Sequence, residues 1–223
     1  MSVAVIIPNL NYGQWLGRAI ASVQRQTVPV AGVIVVDGGS TDDSKSTAAN
    51  LHAAWIETPA LGMADARNVG IALTLCEFIV PLDADDWIEP TFVEHCLDKM
   101  LEDDKVGVVA TGLKWPDGRE QWPREPFTRE AFLTGNRLFT CSMLRRQCWL
   151  DVGGYDTDRR LFEDWLFWAR IVEAGWKIAT VPEALFHYCP HEGSSCGRMN
   201  SDDHAQYRTR TVQKIQEASC QKA

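Results

Sequence analysis

No basic surplus, no long apolar run and no ordered set of cysteines mark this chain, and each absence removes a class of protein. The formal charge at neutral pH is −8, so a docking face for nucleic acid or an anionic membrane, which needs clustered Lys and Arg, is not expected. No apolar stretch approaches the roughly 20 residues that cross a bilayer. Met1 to Pro8 is too short an apolar run for a secretory signal and carries no basic n-region. The expected location is cytoplasmic, either free or peripheral at the inner face of the membrane. The seven cysteines, Cys76, Cys96, Cys141 and Cys220 among them, form no closely spaced framework, which fits reduced thiols filling a core. A phosphate-binding Gly-x-x-x-x-Gly-Lys loop and a Gly-x-Gly-x-x-Gly fingerprint are both missing, against a nucleoside triphosphatase and a dinucleotide dehydrogenase. With 223 residues, 45% of them hydrophobic, and no internal repeat, one globular domain over 1–223 is expected.

What is present is an alternation of strand and helix. Val3 to Ile7 is an apolar run ended by Pro8, and Trp15 to Gln26 puts Leu16, Ile20 and Val23 on one helical face. Gly32 to Val36 repeats the strand, followed by the turn Asp37-Gly38-Gly39-Ser40-Thr41-Asp42 and a helix through about Asn50. A strand around Trp55, a helix from Met63 to Leu75 and a strand from Phe78 to Leu82 come next, then a helix from Thr91 to Leu101 and a strand from Val106 to Thr111. This order predicts an α/β fold with a mostly parallel central sheet flanked by helices. Such sheets bind ligands beyond the carboxyl ends of their strands, which brings Asp37 and Asp83 to one site. From Trp115 to Thr140 the chain reads as irregular and is expected to shape the pocket of a second substrate. Glu163 to Ala174 is an amphipathic helix, Lys177 to Val181 and Leu185 to Tyr188 are two short strands, and the C-terminal segment is a polar helix.

The most informative stretch is Phe78-Ile79-Val80-Pro81-Leu82-Asp83-Ala84-Asp85-Asp86-Trp87, an apolar strand running into three carboxylates. Side chains alternate along an extended chain, so Asp83 and Asp85 are expected on one side. Oxygen ligands at a strand end suit Mn²⁺ or Mg²⁺ held together with substrate phosphates. Read alone, the cluster is also a turn followed by a helix cap. A calcium loop is excluded, because Trp87 and Ile88 fall where an oxygen ligand and a Gly are required. Gly193-Ser194-Ser195-Cys196-Gly197 has the spacing of a hydrolase nucleophile elbow, but an elbow needs a strand before it, a helix after it and an acid and then a His well downstream, and only His204 follows, too near. Cys189, His191, Cys196 and His204 are too widely spaced for an ordinary zinc module.

Six motifs stand in one order: Val5-Ile6-Ile7-Pro8 with Asn11; Val36-Asp37-Gly38-Gly39-Ser40-Thr41-Asp42; Ala66-Arg67-Asn68-Val69-Gly70; Leu82-Asp83-Ala84-Asp85-Asp86; Gly153-Gly154-Tyr155-Asp156; and Glu163-Asp164-Trp165. In these, to about His191, the chain resembles glycosyltransferase family 2, inverting enzymes of the GT-A fold. The resemblance implies a single Rossmann-like domain with a nucleotide-binding half over about 1–110 and an acceptor and base half over about 111–223. It implies a metal-dependent transfer of a hexosyl or N-acetylhexosaminyl unit from a nucleotide sugar, first of all a UDP-sugar, to a hydroxyl of a glycan or lipid-linked acceptor, as in cell-envelope polysaccharide synthesis.

Carried over by motif, Pro8, Asn11 and Asp37 belong to the nucleotide site, with Asp37 accepting from the uracil imide and Arg67 reaching the base. Asp83 would hold the ribose, and Asp85 the metal, with Asp86 able to exchange roles with it. His191 would complete the metal sphere, Arg198 would meet a phosphate, and Asp164 would be the catalytic base. From the residues alone, Asp37 is also a turn former and Arg67 a solvated helix residue. Two other functions stay open, a nucleotidyltransferase on a similar sheet and a non-catalytic nucleotide-sugar-binding relative.

Overall fold

Strand β1, Val3–Asn9, is buried along its whole length and organises the molecule. In the computed structural model, which describes residues 1–58, 61–191 and 199–220, its alternate side chains enter two separate cores. Val3, Val5 and Ile7 face helices α1 (Gly13–Gln24) and α4 (Phe92–Leu101), meeting Leu16, Ile20, Phe92 and Cys96. Ala4 and Ile6 face α3 (Met63–Ala72) and α7 (Glu163–Glu173), meeting Ile71, Phe167 and Trp168. A strand apolar on both sides of its pleat belongs in the middle of a sheet covered by helices on both faces.

The remaining strands are β2 (Gly32–Asp37), β3 (Ala54–Glu57), β4 (Phe78–Pro81), β5 (Trp87–Ile88), β6 (Val106–Lys114), β7 (Glu120–Gln121), β8 (Met143–Arg145) and β9 (Lys177–His187). The remaining helices are α2 (Ser44–Asn50), α5 (Arg129–Phe132), α6 (Arg146–Val152) and α8 (Ser201–Cys220). The sheet runs β3-β2-β1-β4-β8-β6-β9-β5, with β7 paired to β6. From β3 to β4 all pairings are parallel, β8 is antiparallel to both its neighbours, β6 and β9 are parallel, and β5 closes the edge antiparallel. This is the mostly parallel α/β sheet expected from the order of strands and helices.

Several local expectations are corrected. Lys177 to His187 is one strand instead of two, because the β6–β9 pairing slips between Ala110 and Leu113, and Pro182 falls among those irregular positions. Helix α3 stops at Ala72, where the Thr74 hydroxyl accepts from the Cys76 amide and turns the chain; Leu73 and Leu75 are exposed. The segment from Trp115 to Thr140 contains β7 and α5. Strand β8 and helix α6 follow in a region with no earlier assignment.

Candidate active site

The register of β1 against β2 pairs Asn9 with Asp37 at the carboxyl ends of both strands. There the Asn9 amide donates to Asp37 at 2.8 Å. The Gly39 and Ser40 amides donate to the other Asp37 oxygen at 3.0 and 2.8 Å, and the Ser40 hydroxyl donates to the first. A carboxylate has about four lone-pair sites, so Asp37, 1% exposed, is filled by its own turn. Asn11, with φ 58°, accepts from the Thr41 amide at 2.8 Å and fixes the same turn. Pro8, Asn9 and Gly38 border a cavity of about 790 Å³; Asp37, buried, and Asn11, exposed, are not part of its lining.

Beside this turn, the Asp83–Asp86 segment is itself a turn, the Asp86 amide donating to the Asp83 carbonyl at 3.1 Å. The expected extended alternation is replaced by this bend, which places Asp83 and Asp85 on the cavity and turns Asp86 inward. Asp86, 2% exposed, accepts from the Cys189 amide at 2.8 Å. Asp85 accepts from or shares a proton with His191 Nε2 at 3.0 Å, and the His191 ring stacks on Trp15 at 4.1 Å. Burial, then the charge of Asp83, raises the pKa of Asp85; burial, then Asp83 and Asp85, raises that of Asp86 well above the usual carboxylate range. A crowd of carboxylates whose ionisation is opposed, with an imidazole beside one of them, is a donor set suited to a hard divalent cation. Among the described residues no preformed group of three or more metal-ligating side chains occurs; Asp85 and His191 are the pair brought together. Arg198, Ser194 and Cys196 lie outside the described residues.

Arg67 is the largest surprise of the site. Read from sequence as a base-reading or solvated residue, it is 1% exposed and ion-paired twice, to Asp83 and to Glu163, both at 2.7 Å. Its guanidinium lies 5.6 Å from the centre of the Tyr155 ring. One cation thus joins the strand-end carboxylates to the start of α7.

Helix α7 begins with Glu163 and Asp164 in its first turn. Glu163 goes to Arg67, and Asp164 borders the cavity. Asn136 and Thr140 donate to Asp164 Oδ2 at 3.0 and 3.3 Å, and the Trp165 amide donates to Oδ1 at 2.7 Å. Burial, then the neighbouring Glu163 charge, pushes the Asp164 pKa up to about 6 despite Arg67 and these donors. A carboxylate poised there is ionised at neutral pH and basic enough to take a proton. The same wall holds Arg124 and Asn136 from the long connection expected to shape a second pocket, His204, weighed from sequence only as a zinc ligand, and three residues the sequence did not single out, Met199, Tyr207 and Arg208. The polar pattern of α8 concealed its role, since a solvated face and a cavity lining read alike.

The sequence profile described as Glycosyl transferase family 2 matches residues 4–162. The chain is 28% identical over 185 residues to a chondroitin synthase of Pasteurella multocida, which covers 78% of this chain and 19% of the synthase. It is 30% identical over 158 residues to an uncharacterised glycosyltransferase, YibD, of Escherichia coli, with 68% and 43% covered. The chain therefore spans about a fifth of the first relative and less than half of the second. Among solved structures it resembles S. aureus TarS 1-349 in complex with UDP-GlcNAc, with a TM-score of 0.78, 20% identity and 96% and 66% of the two chains covered. It also resembles the mannosyltransferase PcManGT of Pyrobaculum calidifontis in complex with GDP-Man and Mn²⁺, with a TM-score of 0.74, 20% identity and 96% and 64% covered. With the profile running from β1 to the residue before Glu163, through the turns after β1, β2 and β4 that border the cavity, this chain belongs to glycosyltransferase family 2.

Proposed function

We propose that this chain is a metal-dependent inverting glycosyltransferase domain that moves a sugar, hexosyl or N-acetylhexosaminyl, from a UDP-sugar to a hydroxyl of a glycan or lipid-linked acceptor. The observation that carries this reading is one cavity bordered both by the strand-end carboxylates Asp83 and Asp85 and by Asp164, whose pKa is near 6. Residues 1–110 would serve the donor, and 111–223 the acceptor and base.

Asp164 takes the proton of the acceptor hydroxyl as that oxygen attacks the anomeric carbon from the side opposite the departing diphosphate. Asn136 and Thr140 hold the carboxylate in place, and Arg67 holds Glu163 so that the two acids do not compete for one position. Asp85 and His191, with Asp86 behind them, would hold Mn²⁺ or Mg²⁺, whose charge stabilises a leaving diphosphate. Support for a nucleotide-sugar donor comes from the fold relatives, one bound to UDP-GlcNAc and one to GDP-Man and Mn²⁺. Asp37 serves the nucleotide by shaping the turn behind Gly38. Among the described residues no helix is long and apolar enough to cross a membrane. The test is incubation with Mn²⁺ and a panel of nucleotide sugars while nucleoside diphosphate is assayed; release from UDP-sugars supports the reading, and silence across the panel with a confirmed acceptor overturns it.

A further inference from the structure

Two guanidinium groups at the mouth of the cavity meet no carboxylate among the described residues. Arg208 Nη2 donates to the Thr134 carbonyl at 2.9 Å, and Arg124 Nη2 donates to the Asn136 carbonyl. Both side chains line the cavity. They grip the two ends of the short loop Thr134-Gly135-Asn136, whose Asn136 amide in turn holds Asp164. Other arginines of the molecule are neutralised locally, Arg67 by Asp83 and Glu163, Arg170 by Asp156 and Arg210 by Asp158, while Arg18, Arg137 and Arg146 also donate to backbone carbonyls but do not line this cavity.

A guanidinium carries five N–H donors, and a backbone carbonyl satisfies one without cancelling the charge. Two uncancelled charges beside a base, in a chain of net charge −8, form a seat for an oxyanion. An aromatic surface adjoins this seat. The ring of Phe162, the residue before α7, lies 4.9 Å from that of His204 and 6.1 Å from that of Tyr207, and all three line the cavity. An apolar shelf with a few convergent polar groups is the usual make-up of a small-molecule site.

We infer that the acceptor is an anionic saccharide, with its carboxylate or phosphate between Arg124 and Arg208 and its ring against Phe162 and Tyr207. This rests on the glycosyltransferase reading and narrows it. On that reading the donor diphosphate would be met by the metal held at Asp85 and His191, which leaves the arginine pair to discriminate among acceptors.

The experiment is an NMR titration of the protein with Mn²⁺ and UDP, using methyl β-glucuronide, glucose 6-phosphate and uncharged methyl β-glucoside as probes. At least one anionic probe is expected to bind about tenfold more tightly than the glucoside, the size of one charge-assisted hydrogen bond. A margin for the glucuronide alone identifies a carboxylate, and a margin for the phosphate alone identifies a phosphorylated acceptor. In R124Q/R208Q the margin disappears with UDP affinity kept, and R124K/R208K, which retains both charges, keeps part of it. Equal binding of charged and neutral probes by the unmodified protein overturns the inference. So does a loss of UDP affinity in R124Q/R208Q with the margin intact, which would assign the pair to the donor. UDP binding with Mn²⁺ is measured first: its absence overturns the glycosyltransferase reading itself, whereas its presence with equal probe affinities overturns only the anionic acceptor.

Discussion

Asp37 accepts four hydrogen bonds from its own turn and from β1, whereas Asp164 accepts from Asn136, Thr140 and the Trp165 amide and still borders the cavity. These surroundings set opposite outcomes for removing each carboxylate. Asp164→Asn is expected to lower transfer by 10²- to 10⁴-fold, the usual range for loss of a general base, with UDP affinity in Mn²⁺ within about threefold of the unmodified protein. The pH profile checks the same assignment. With a pKa near 6, kcat/KM should fall tenfold per unit below that pH and level off above it, and the variant's residual activity should lack this limb. Burial disfavours the ionised form in the folded state, so Asp164 costs stability above pH 6, and the cost fades as pH falls toward the ordinary carboxylate range. Thermal melting at pH 8 should therefore place Asp164→Asn at or above the unmodified protein. Asp37→Ala should instead lose stability, by about 2–3 kcal/mol for a buried acceptor of several donors, read as a lower denaturation midpoint. An unchanged midpoint with altered preference among UDP, ADP and GDP would return Asp37 to base reading.

At the scale of elements, two motifs that are far apart in sequence prove to be halves of one joint. Asn68, on α3, accepts from the Trp149 indole and the Tyr155 amide and donates to the Tyr155 carbonyl, all at 2.9 Å. Gly154, with φ 83°, lies so close that an added Cβ would come within 2.7 Å of the Asn68 side-chain oxygen. The two motifs were visible in the sequence as separate strings; their pairing was not, because 87 positions separate Asn68 from Tyr155 and no periodicity spans such a gap. Gly70 belongs to the same helix and marks its closest approach to the sheet, where an added Cβ would meet Ile6 at 2.4 Å and Val36 at 3.2 Å. Gly70→Ala should cost about 1–3 kcal/mol by overpacking, measured by chemical denaturation. Strands β1, β2 and β4 and helices α1, α3 and α7 were legible because their apolar residues recur at a helical or two-sided strand period. Strand β8 was not, being three residues long and partly polar, whereas a turn at Asp83–Asp86 was one of the two readings the sequence left open, and it is the one that forms.

For the molecule as a whole, the strand ends, the acidic turns and the pocket-shaping segment from Trp115 to Thr140 were legible as regions, while the particular residues of that segment and the wall built from α8 were not. A cavity lining of Arg, Asn, His and Tyr has no spacing rule. Ligand linkage offers a global measurement: a ligand bound only by the folded state raises its melting temperature. UDP with Mn²⁺ should raise the midpoint by several degrees at about 100-fold excess over Kd, equivalent to about 2.7 kcal/mol. UDP with chelator should raise it little, and Asp85→Ala should remove most of the difference; equal shifts with metal and chelator would take Asp85 out of metal binding.

Strand β8 lies between β4 and β6, although residues 143–145 are made long after Pro81 ends β4. During synthesis, then, the flank of β4 that β8 will cover remains an unpaired hydrogen-bonding edge. At ordinary translation rates of 5–20 residues per second, the 64 residues from Pro81 to Arg145 (145 − 81) take roughly 3–13 s. An apolar strand such as Phe78-Ile79-Val80-Pro81 left open for that time invites pairing with another nascent chain. A fragment ending at residue 110 would never close that edge and should aggregate at concentrations where the whole chain stays monodisperse by light scattering. The segment 1–110 is therefore not a module that nature or an engineer can move alone: its central sheet is finished only by residues 143–145, from the part of the chain that holds Asp164.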